Sequence, residues 1–452
     1  MNILMVSLGC DKNLCDSEAM LGLLAKHNYN ITNDEQEADA IIVNTCSFIK
    51  DAMEESVNTV LEMAKLKQQN LKYLIVTGCM AQRFKDEIFD EIPEIDACLG
   101  TSSFDKILDV IEELKARDGI EDAEEISVYD DIDRLATITE SNKVITSGTF
   151  MGYLKIAGGC DKFCTYCVIP HIRGHYRSVP MEQLLKEAEY MASQGIEELV
   201  LVAQETTVYG TDIYGKKSLH ILLKELCKIK GIRWIRVLYC YPEEIDEALI
   251  KEIASNPKIV KYLDIPLQHV HNDILKSMNR RSSFEEICEL FKYLRTEIPD
   301  ISIRSTFICG FPGEQTKHFL TLKSFIEKQK LENVGFFAYS PEEGTVAALM
   351  KERISEKVTQ HRLQKLAKCQ QKVVRILNKR HVGKVYEVLI DDFCELDSKK
   401  NLLIYKGRTY FQTPEVDGVV YIESENELVI GEFYDVAITD FKDYDLRGEV
   451  AK

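Results

Sequence analysis

Short apolar runs rich in branched residues alternate with longer segments of helical period along the first hundred residues. The apolar runs are Ile3 to Leu8, Ala40 to Asn44 and Tyr73 to Thr77, and a helical pattern follows each one. Buried parallel strands have this near-continuous hydrophobic character, and they are joined by crossover helices. The pattern therefore predicts an N-terminal parallel α/β domain over residues 1–120.

An acidic, poorly periodic stretch separates this domain from the next. It extends from about Asp109 to Asn142 and includes "EDAEEISVYDDIDR". Dense charge without period is typical of linkers and surface excursions. We therefore predict a linker over residues 121–145.

Strand and helix patterns alternate again through six units in the middle of the chain. Six units are too few to close an eight-stranded barrel, but they suit an open, partial TIM-like (βα)6 barrel. A helical segment from about Ile354 to Lys379 follows, so the predicted domain covers residues 146–380. The six predicted strands are Tyr153–Ala157, Glu198–Ala203, Trp234–Tyr239, Tyr262–Pro266, Ser302–Cys309 and Val334–Ala338.

The hydrophobic period changes to two in the last seventy residues. "KVYEVLIDD", "LLIYKGR", "GVVYIES" and "EFYDVAITDF" are short alternating segments separated by turns. This pattern predicts a small antiparallel β-barrel over residues 381–452. The fold class of the whole chain is therefore α/β with a C-terminal β-barrel.

Composition places the chain among soluble globular proteins. It has 452 residues, of which 45% are hydrophobic and 29% charged. No apolar run reaches the roughly 18 to 20 residues that span a bilayer, and no basic leader with a cleavage site precedes the first strand. We expect a cytosolic protein without a membrane partner.

The formal charge of −18 removes a large electrostatic contribution to binding of phosphate backbones. The predicted C-terminal barrel is itself acidic, with roughly 16 acidic and 8 basic residues. Any role with nucleic acid would need a local basic patch. Tyr405, Tyr410 and Phe411, beside Lys406 and Arg408, are one candidate for such a patch, against a role in the core or in protein contacts.

Cysteines follow each of the first three predicted strands, at Cys10, Cys46 and Cys79. Because the carboxyl ends of parallel strands meet at one edge of the sheet, we expect these three residues to be close in space. Metal binding or redox chemistry would explain them, and three separate buried thiols are the alternative. Cys15 competes with Cys10 as a ligand, but it lies about one turn into the following helix, so we favour Cys10.

"GGCDKFCTYCVIP" places Cys160, Cys164 and Cys167 in a C-x3-C-x2-C spacing directly after the first barrel strand. Three thiolates on one short loop can converge on a single metal centre. A zinc site would normally need a fourth ligand, for which His171 is the nearest candidate. Three unrelated core cysteines are a further alternative. The spacing favours a [4Fe-4S] cluster that leaves one iron without a protein ligand.

On this motif and the partial barrel, the chain resembles the radical S-adenosylmethionine (AdoMet) family. The resemblance implies that the open iron binds the amino and carboxylate groups of AdoMet. It also implies delivery of one electron, which cleaves AdoMet to a 5′-deoxyadenosyl radical that abstracts a hydrogen atom. Tyr166 matches the aromatic position of the family that packs near adenine.

Three later segments look like the AdoMet-facing segments of the methylthiotransferase subgroup. They are "LVAQETTVYG", "LDIPLQHVHNDILKSMNR" and "RSTFICGFPGE". The resemblance places several polar residues near cofactor or substrate, although for each a structural role is an equal alternative. No general base is assigned, because radical hydrogen abstraction needs none. The residues are Gln204, Glu205, Arg236, Gln268 and Arg304.

Across the whole chain, the three predicted domains resemble the radical AdoMet methylthiotransferases. In that family Cys10, Cys46 and Cys79 would bind a second [4Fe-4S] cluster, and the C-terminal barrel would be a TRAM-like domain. Thiolates are soft ligands suited to iron and sulfide. The resemblance also implies two uses of AdoMet, for methyl donation and for radical formation.

The opening "SLGCDKNLCDSE" resembles the branch of the family that methylthiolates the β-carbon of an aspartate in small-subunit ribosomal protein twelve. Asp11 and Cys15 depart from that branch, where proline and valine are usual, but neither removes a predicted ligand. The acidic C-terminal barrel also suits a basic protein better than RNA. The alternative is the branch that methylthiolates an adenosine of transfer RNA.

Further partners follow from the one-electron chemistry that the resemblance implies. An external electron donor such as a flavodoxin or ferredoxin is needed, and the sulfur donor is unknown. Two other classes of protein compete with the enzyme. A non-catalytic electron carrier with two clusters does not account for the barrel and the third domain. A zinc-stabilised RNA-binding protein is disfavoured by the acidic net charge.

Overall fold

The chain folds into three modules that follow one another in sequence. A computed structural model describes residues 1–85, 87–120, 124–138, 142–397 and 401–451. The first two modules are parallel α/β structures and the third is a closed β-barrel. The predicted fold class is therefore confirmed. No helix within the described ranges is long and apolar enough to span a membrane.

The N-terminal module is a six-stranded, all-parallel sheet with strand order β2-β1-β3-β4-β5-β6. Alternate residues of β3 and β4 face opposite sides: Ile42 and Ile75 enter one apolar cluster, Ile41 and Leu74 the other. Helices cover both faces, which explains the continuous apolar runs. The elements are β1 Asn2–Ser7, α1 Asp11–Lys26, β2 Asn30–Ile31, β3 Ala40–Thr45, α2 Lys50–Ala64, β4 Tyr73–Gly78, α3 Cys79–Phe84, α4 Glu87–Glu91, β5 Ala97–Leu99, α5 Ile107–Ala116 and β6 Ile126–Val128.

Strand β6 lies within the segment 121–145 that is predicted as a linker. Its residues Ile126 to Val128 pair in parallel with β5 and form the sixth strand of the N-terminal sheet. A three-residue strand is too short to show a period, and only pairing with β5 reveals it. Residues 121–123 and 139–141 of the predicted linker lie outside the described residues.

The central module is a second all-parallel sheet, with strand order β14-β13-β12-β11-β10-β7. It confirms the six predicted strand and helix units, and within the described residues its edge strands β7 and β14 do not close a barrel. The elements are β7 Met151–Lys155, β8 Ala157–Gly158, α6 Ile169–Arg173, β9 Arg177–Ser178, α7 Met181–Ser193, β10 Glu198–Val202, α8 Thr211–Tyr214, α9 Leu219–Leu226, β11 Trp234–Val237, α10 Glu247–Ser255, β12 Ile259–Asp264, α11 Asn272–Ser277, α12 Phe284–Glu297, β13 Ser302–Cys309, α13 Thr316–Gln329, β14 Asn333–Ala338 and α14 Glu356–Asn378.

The two faces of the central sheet have different partners. One face packs against its own helices in the largest apolar cluster of the chain. On the other face, Tyr153, Trp234 and Tyr262 pack with Cys15 from helix α1 and Leu389 from the C-terminal module. The N- and C-terminal modules therefore both cover the open side of the partial barrel.

The C-terminal module is a closed five-stranded barrel with order β15-β16-β17-β19-β18. Four strands match the predicted alternating segments, and the fifth, Asp445–Val450, was missed because Gly448 and the charged residues around it obscure the alternation. It pairs antiparallel with β18 but parallel with β17. The strands are β15 Val385–Asp397, β16 Leu402–Arg408, β17 Val420–Ser424, β18 Phe433–Lys442 and β19 Asp445–Val450.

A buried ion network anchors the C-terminal barrel to the central sheet. The Glu198 carboxylate accepts hydrogen bonds from Arg236 at 2.9 Å and from Arg408 at 2.8 Å. Arg408 also donates to Asp391 at 2.9 Å, and Arg236 to the Tyr410 carbonyl at 2.8 Å. Each charge therefore has partners away from water, as buried ions require.

Candidate metal centres and cofactor site

The loop from Cys160 to Cys167 is held in one conformation by neighbouring backbone. The Cys160 N–H donates to the Gly174 carbonyl and the Cys167 N–H to the Cys164 carbonyl, both at 3.0 Å. Phe163, between the first two cysteines, has φ +49°, a left-handed conformation that is unusual for a bulky residue. Asn279 Nδ2 supports it by donating to the Phe163 carbonyl at 3.0 Å. The tight loop therefore carries three free thiols at the end of the first barrel strand.

The electrostatics of this loop favour a positively charged ligand. Burial raises the pKa of the Cys160 thiol to about 12, and the charge of Cys164 adds to the rise. Burial likewise raises the pKa of Cys167, again with Cys164 contributing. Thiolates crowded in a buried site need cations nearby, and metal binding deprotonates such thiols. The donor set therefore fits a metal centre bound by thiolates.

Cys10, Cys46 and Cys79 lie at the ends of three adjacent strands, β1, β3 and β4. Cys10 precedes helix α1, and Cys79 is the first residue of helix α3. Gly9 has φ +86°, and a Cβ atom on it would lie 2.9 Å from Cys46 Sγ. The chain therefore needs glycine before Cys10 so that Cys46 can approach.

The pKa values of these thiols also reflect their mutual proximity. Burial raises the pKa of Cys46 to about 11, and the charges of Cys79 and Cys10 contribute. Burial raises the pKa of Cys79 too; Arg173 opposes this rise and Cys10 adds to it. The fold thus brings together three cysteines that are widely separated in sequence. Cys15 points elsewhere, with its thiol 3.6 Å from the Tyr153 carbonyl.

Neither cysteine trio has the compact geometry of a site for a single ion. Among the described residues, only His271, Asp273 and His318 bring three ligand atoms within 4.8 Å of one another. A tetrahedral zinc ion would hold its thiolates closer than this limit, since each Zn–S bond is about 2.3 Å. In an iron–sulfur cluster each thiolate binds a different iron atom, so wider spacing is appropriate.

The two histidines of this trio, His271 and His318, cap two helices. The Asp273 N–H donates to His271 Nδ1 at 3.2 Å, and the Gln315 N–H donates to His318 Nδ1 at 2.9 Å. Both rings therefore carry their proton on Nε2 in the neutral form, which leaves no free imidazole lone pair for a metal. These contacts satisfy the first turns of α11 and α13.

Two of the residues predicted near AdoMet lie directly after strand β10. Glu205 is buried, and burial raises the pKa of its carboxyl to about 7 against the opposing charge of Lys162. Glu205 Oε2 lies 3.3 Å from Lys162 Nζ, within the cysteine loop. Gln204 Oε1, by contrast, is buried without a hydrogen-bond donor among the described residues. Such an acceptor fits a bound ligand that carries an ammonium group.

Tyr166 and Gln268 occupy other edges of the same region. Tyr166 is half-buried and packs against the apolar cluster around Met278 and Phe311. Gln268 has φ +66°, its N–H donates to the Thr306 carbonyl, and its carbonyl accepts from Ile308, both at 2.8 Å. Its backbone thus joins the sheet edge, and the predicted cofactor role of its side chain stays a prediction.

Arg236 and Arg304 are committed to ion pairs. Arg236 belongs to the network with Glu198, while Arg304 donates to Asp264 at 2.9 Å and lies 3.4 Å from Asp417 of the C-terminal barrel. These ion pairs give both guanidinium groups a structural role beside the C-terminal barrel, which is the alternative to a role at the cofactor. Their predicted place near cofactor or substrate stays a prediction.

Arg173 and Asn13 are site residues that sequence reasoning missed. Arg173 NH2 lies 3.6 Å from Cys79 Sγ and also donates to Asn13 Oδ1. Asn13 in turn donates to the Leu8 carbonyl at 2.9 Å and the Thr45 carbonyl at 3.0 Å, next to two of the cysteines. The only sequence signal is their position a few residues from Cys10 and Cys167.

The chain matches family models in each of its three modules. Residues 2–100 match an uncharacterized protein family designated UPF0004, residues 154–326 match the radical SAM superfamily, and residues 382–451 match the TRAM domain.

Curated relatives are similar over the full length. The chain is 50% identical over 449 residues to the ribosomal protein uS12 methylthiotransferase RimO of Lachnoclostridium phytofermentans, covering 99% of both chains. It is 48% identical to the RimO protein of Acetivibrio thermocellus, covering 98% of this chain and 97% of the relative.

Solved structures share the fold at much lower identity. The radical S-adenosylmethionine methyltransferase TsrM from Kitasatospora setae aligns over 77% of this chain and 74% of its own, with a TM-score of 0.56 and 14% identity. The cobalamin-dependent S-adenosylmethionine radical enzyme OxsB aligns over 83% of this chain and 56% of its own, with a TM-score of 0.53 and 13% identity.

Proposed function

The chain belongs to the RimO family of ribosomal protein uS12 methylthiotransferases, which are radical AdoMet enzymes, and we propose that it adds a methylthio group to the β-carbon of an aspartate in uS12. The observation that carries this proposal is the 50% identity over the full length to a relative of that name. The two cysteine trios in one chain support it, since the two parts of the chemistry need separate sites.

We propose that Cys160, Cys164 and Cys167 hold one [4Fe-4S] cluster and Cys10, Cys46 and Cys79 the other. Members of this family use AdoMet and such clusters. Three cysteines leave one iron of each cluster without a protein ligand. When bound, the clusters supply the electron that cleaves AdoMet and the site at which sulfur is held before transfer. The tight loop and the three strand ends fix the thiols that this chemistry requires.

AdoMet would be oriented by groups around the cysteine loop. Gln204 Oε1 is a buried acceptor without a donor among the described residues, so an ammonium group of AdoMet would complete its hydrogen bonding beside the Glu205 carboxyl. Tyr166, within the loop between Cys164 and Cys167, offers an aromatic surface. Gln268 would contact the cofactor or substrate at the same site. Arg236 and Arg304 would support that site through their ion pairs.

A protein substrate is favoured over RNA by the C-terminal barrel. Its 16 acidic and 8 basic residues would repel phosphate groups and attract a basic ribosomal protein. Three of the five residues of the candidate RNA patch, Tyr405, Arg408 and Phe411, are buried, and Arg408 is paired with Asp391 and Glu198. The alternative activity on transfer RNA adenosine is therefore not favoured.

An electron donor such as a flavodoxin or ferredoxin completes the proposal. One-electron cleavage of AdoMet needs a reductant that none of the side chains provides. The protein would encounter both its electron donor and the ribosome in the cytosol, which is its predicted location.

An anaerobic assay with the reconstituted protein, AdoMet and a strong reductant tests this function. A uS12 peptide that contains the target aspartate, the same peptide with asparagine instead, and unmodified transfer RNA would be compared by mass spectrometry. We expect methylthiolation of the aspartate peptide alone. Deuterium at the aspartate β-carbon should appear in 5′-deoxyadenosine. Modification of the RNA alone would contradict the proposed substrate.

A further inference from the structure

Arg173 reaches from the central module to the cysteine trio of the N-terminal module. It is the last residue of α6, the short helix that begins two residues after Cys167. Its side chain is 4% exposed. NH1 donates to Asp16 Oδ2 at 2.9 Å, while NH2 donates to Asn13 and lies 3.6 Å from Cys79 Sγ. The Arg173 guanidinium thus contacts Cys79 of the N-terminal trio, although its helix directly follows Cys167 of the loop trio.

The position of Arg173 is fixed by its surroundings. Val168, which precedes α6, and Ile172 within it pack against Cys79 in a small apolar cluster. The Thr101 hydroxyl of the N-terminal module donates to the Ile172 carbonyl at 2.6 Å. Asp16, which holds NH1, also pairs with Lys155 at the end of β7. The guanidinium therefore has little freedom to move away from the sulfur.

We propose that Arg173 is a positioning residue for the cluster of the N-terminal module, donating an N–H to the Cys79 sulfur and offsetting part of its negative charge. This inference rests on the proposed cluster at Cys10, Cys46 and Cys79. Arginine suits the task because its planar fork can serve Asp16, Asn13 and the sulfur together, which a lysine ammonium cannot do at three divergent positions.

A measurable consequence is the reduction potential of that cluster. Hydrogen bonds to cluster sulfurs and nearby positive charge favour the reduced, more negative state and so raise the potential. Removing Arg173 should therefore make the potential more negative. A residue that merely joins the two modules would not change it.

Arg83 provides a matched control for the joining of modules. It also links the N-terminal and central modules, donating to the Ser47 carbonyl at 3.0 Å and to Glu342 at 3.2 Å. No contact of Arg83 with a cysteine sulfur occurs among the described residues. Arg83→Gln thus removes a bridge between modules of the same kind without touching a ligand.

The test uses the full chain with Cys160, Cys164 and Cys167 all replaced by alanine, so that only the N-terminal cluster contributes. Arg173→Gln, Arg173→Lys and Arg83→Gln would be compared in that background by redox titration followed by electron paramagnetic resonance. We expect the potential to fall in Arg173→Gln, to fall less in Arg173→Lys, and to stay unchanged in Arg83→Gln.

Each other outcome decides the matter. An unchanged potential in Arg173→Gln with full iron content, or an equal fall in Arg83→Gln, would overturn the inference. If Arg173→Gln loses its iron, Arg173→Lys decides: a lowered potential supports the inference and an unchanged one overturns it. A parent background that binds no iron would instead contradict the proposed cluster itself, and with it this role of Arg173.

Discussion

The two cysteine trios are brought together by different structural routes. Cys160, Cys164 and Cys167 lie on one loop of eight residues, whereas Cys10, Cys46 and Cys79 are assembled from three adjacent strands. The first geometry depends on local backbone contacts. The second depends on the whole N-terminal sheet and on a side chain from the next module, Arg173. The dispersed trio should therefore be the more sensitive to changes far from its ligands.

Replacing each trio by alanine should have the largest effect and should separate the two roles. Without Cys160, Cys164 and Cys167, both cleavage of AdoMet and methylthio transfer should be lost. Without Cys10, Cys46 and Cys79, reductive cleavage of AdoMet should continue while methylthio transfer stops. Chromatography of 5′-deoxyadenosine and mass spectrometry of the peptide measure the two reactions. Equal loss of both in the two variants would contradict separate roles.

Breaking the anchor of the C-terminal barrel should destabilise the chain without affecting either trio. Glu198→Gln leaves Arg236 buried without its carboxylate partner, while Arg408 keeps Asp391, and an uncompensated buried charge typically costs about 3–5 kcal/mol. Chemical denaturation measures the loss, and iron analysis of the folded protein should give the wild-type value. Loss of iron from the folded variant would mean that the metal sites depend on the third module.

Gly9→Ala should damage the dispersed trio selectively. The new Cβ would lie 2.6 Å from Cys46 Cβ, at a φ of +86°. Backbone strain costs about 1–3 kcal/mol, and Cys46 must also move. Iron bound by the N-terminal site should fall.

Gly119→Ala is the matched control for this change. Its φ is +82°, but nothing lies within 4 Å of the added atom. Gly119→Ala should lower the temperature of thermal unfolding because of the backbone strain, and it should bind as much iron as the wild type. Equal iron loss in the two variants would show that backbone strain, and not displacement of Cys46, is responsible.

The smallest expected effect is a pH dependence beside the loop trio. Burial raises the pKa of Glu205 from 4.5 to about 7, so the folded chain holds a proton that the unfolded chain releases between these values. The stability of the metal-free protein should therefore fall as pH rises from about 4.5 through about 7. Glu205→Gln should weaken this dependence in melting experiments at several pH values. An identical pH profile in both proteins would contradict the raised pKa.

The sequence predicted best what depends on local order. The loop trio is visible from its spacing, and the three strand-end cysteines could be placed together because parallel strands share an edge. Strand β6 escaped prediction because three residues carry no period, and Arg173 because its role comes from docking of two modules. Arg236 and Arg304 show the same limit: strand position alone does not reveal their ion partners in the C-terminal barrel. The predicted module boundaries at 120, 145 and 380 stay predictions.

The most direct test of two separate metal centres is the content of iron and sulfide in the anaerobically reconstituted wild-type chain. Two [4Fe-4S] clusters predict about eight irons and eight sulfides per chain, and about four of each when either trio is replaced. Four irons in the wild type, or zinc in place of iron, would contradict the account.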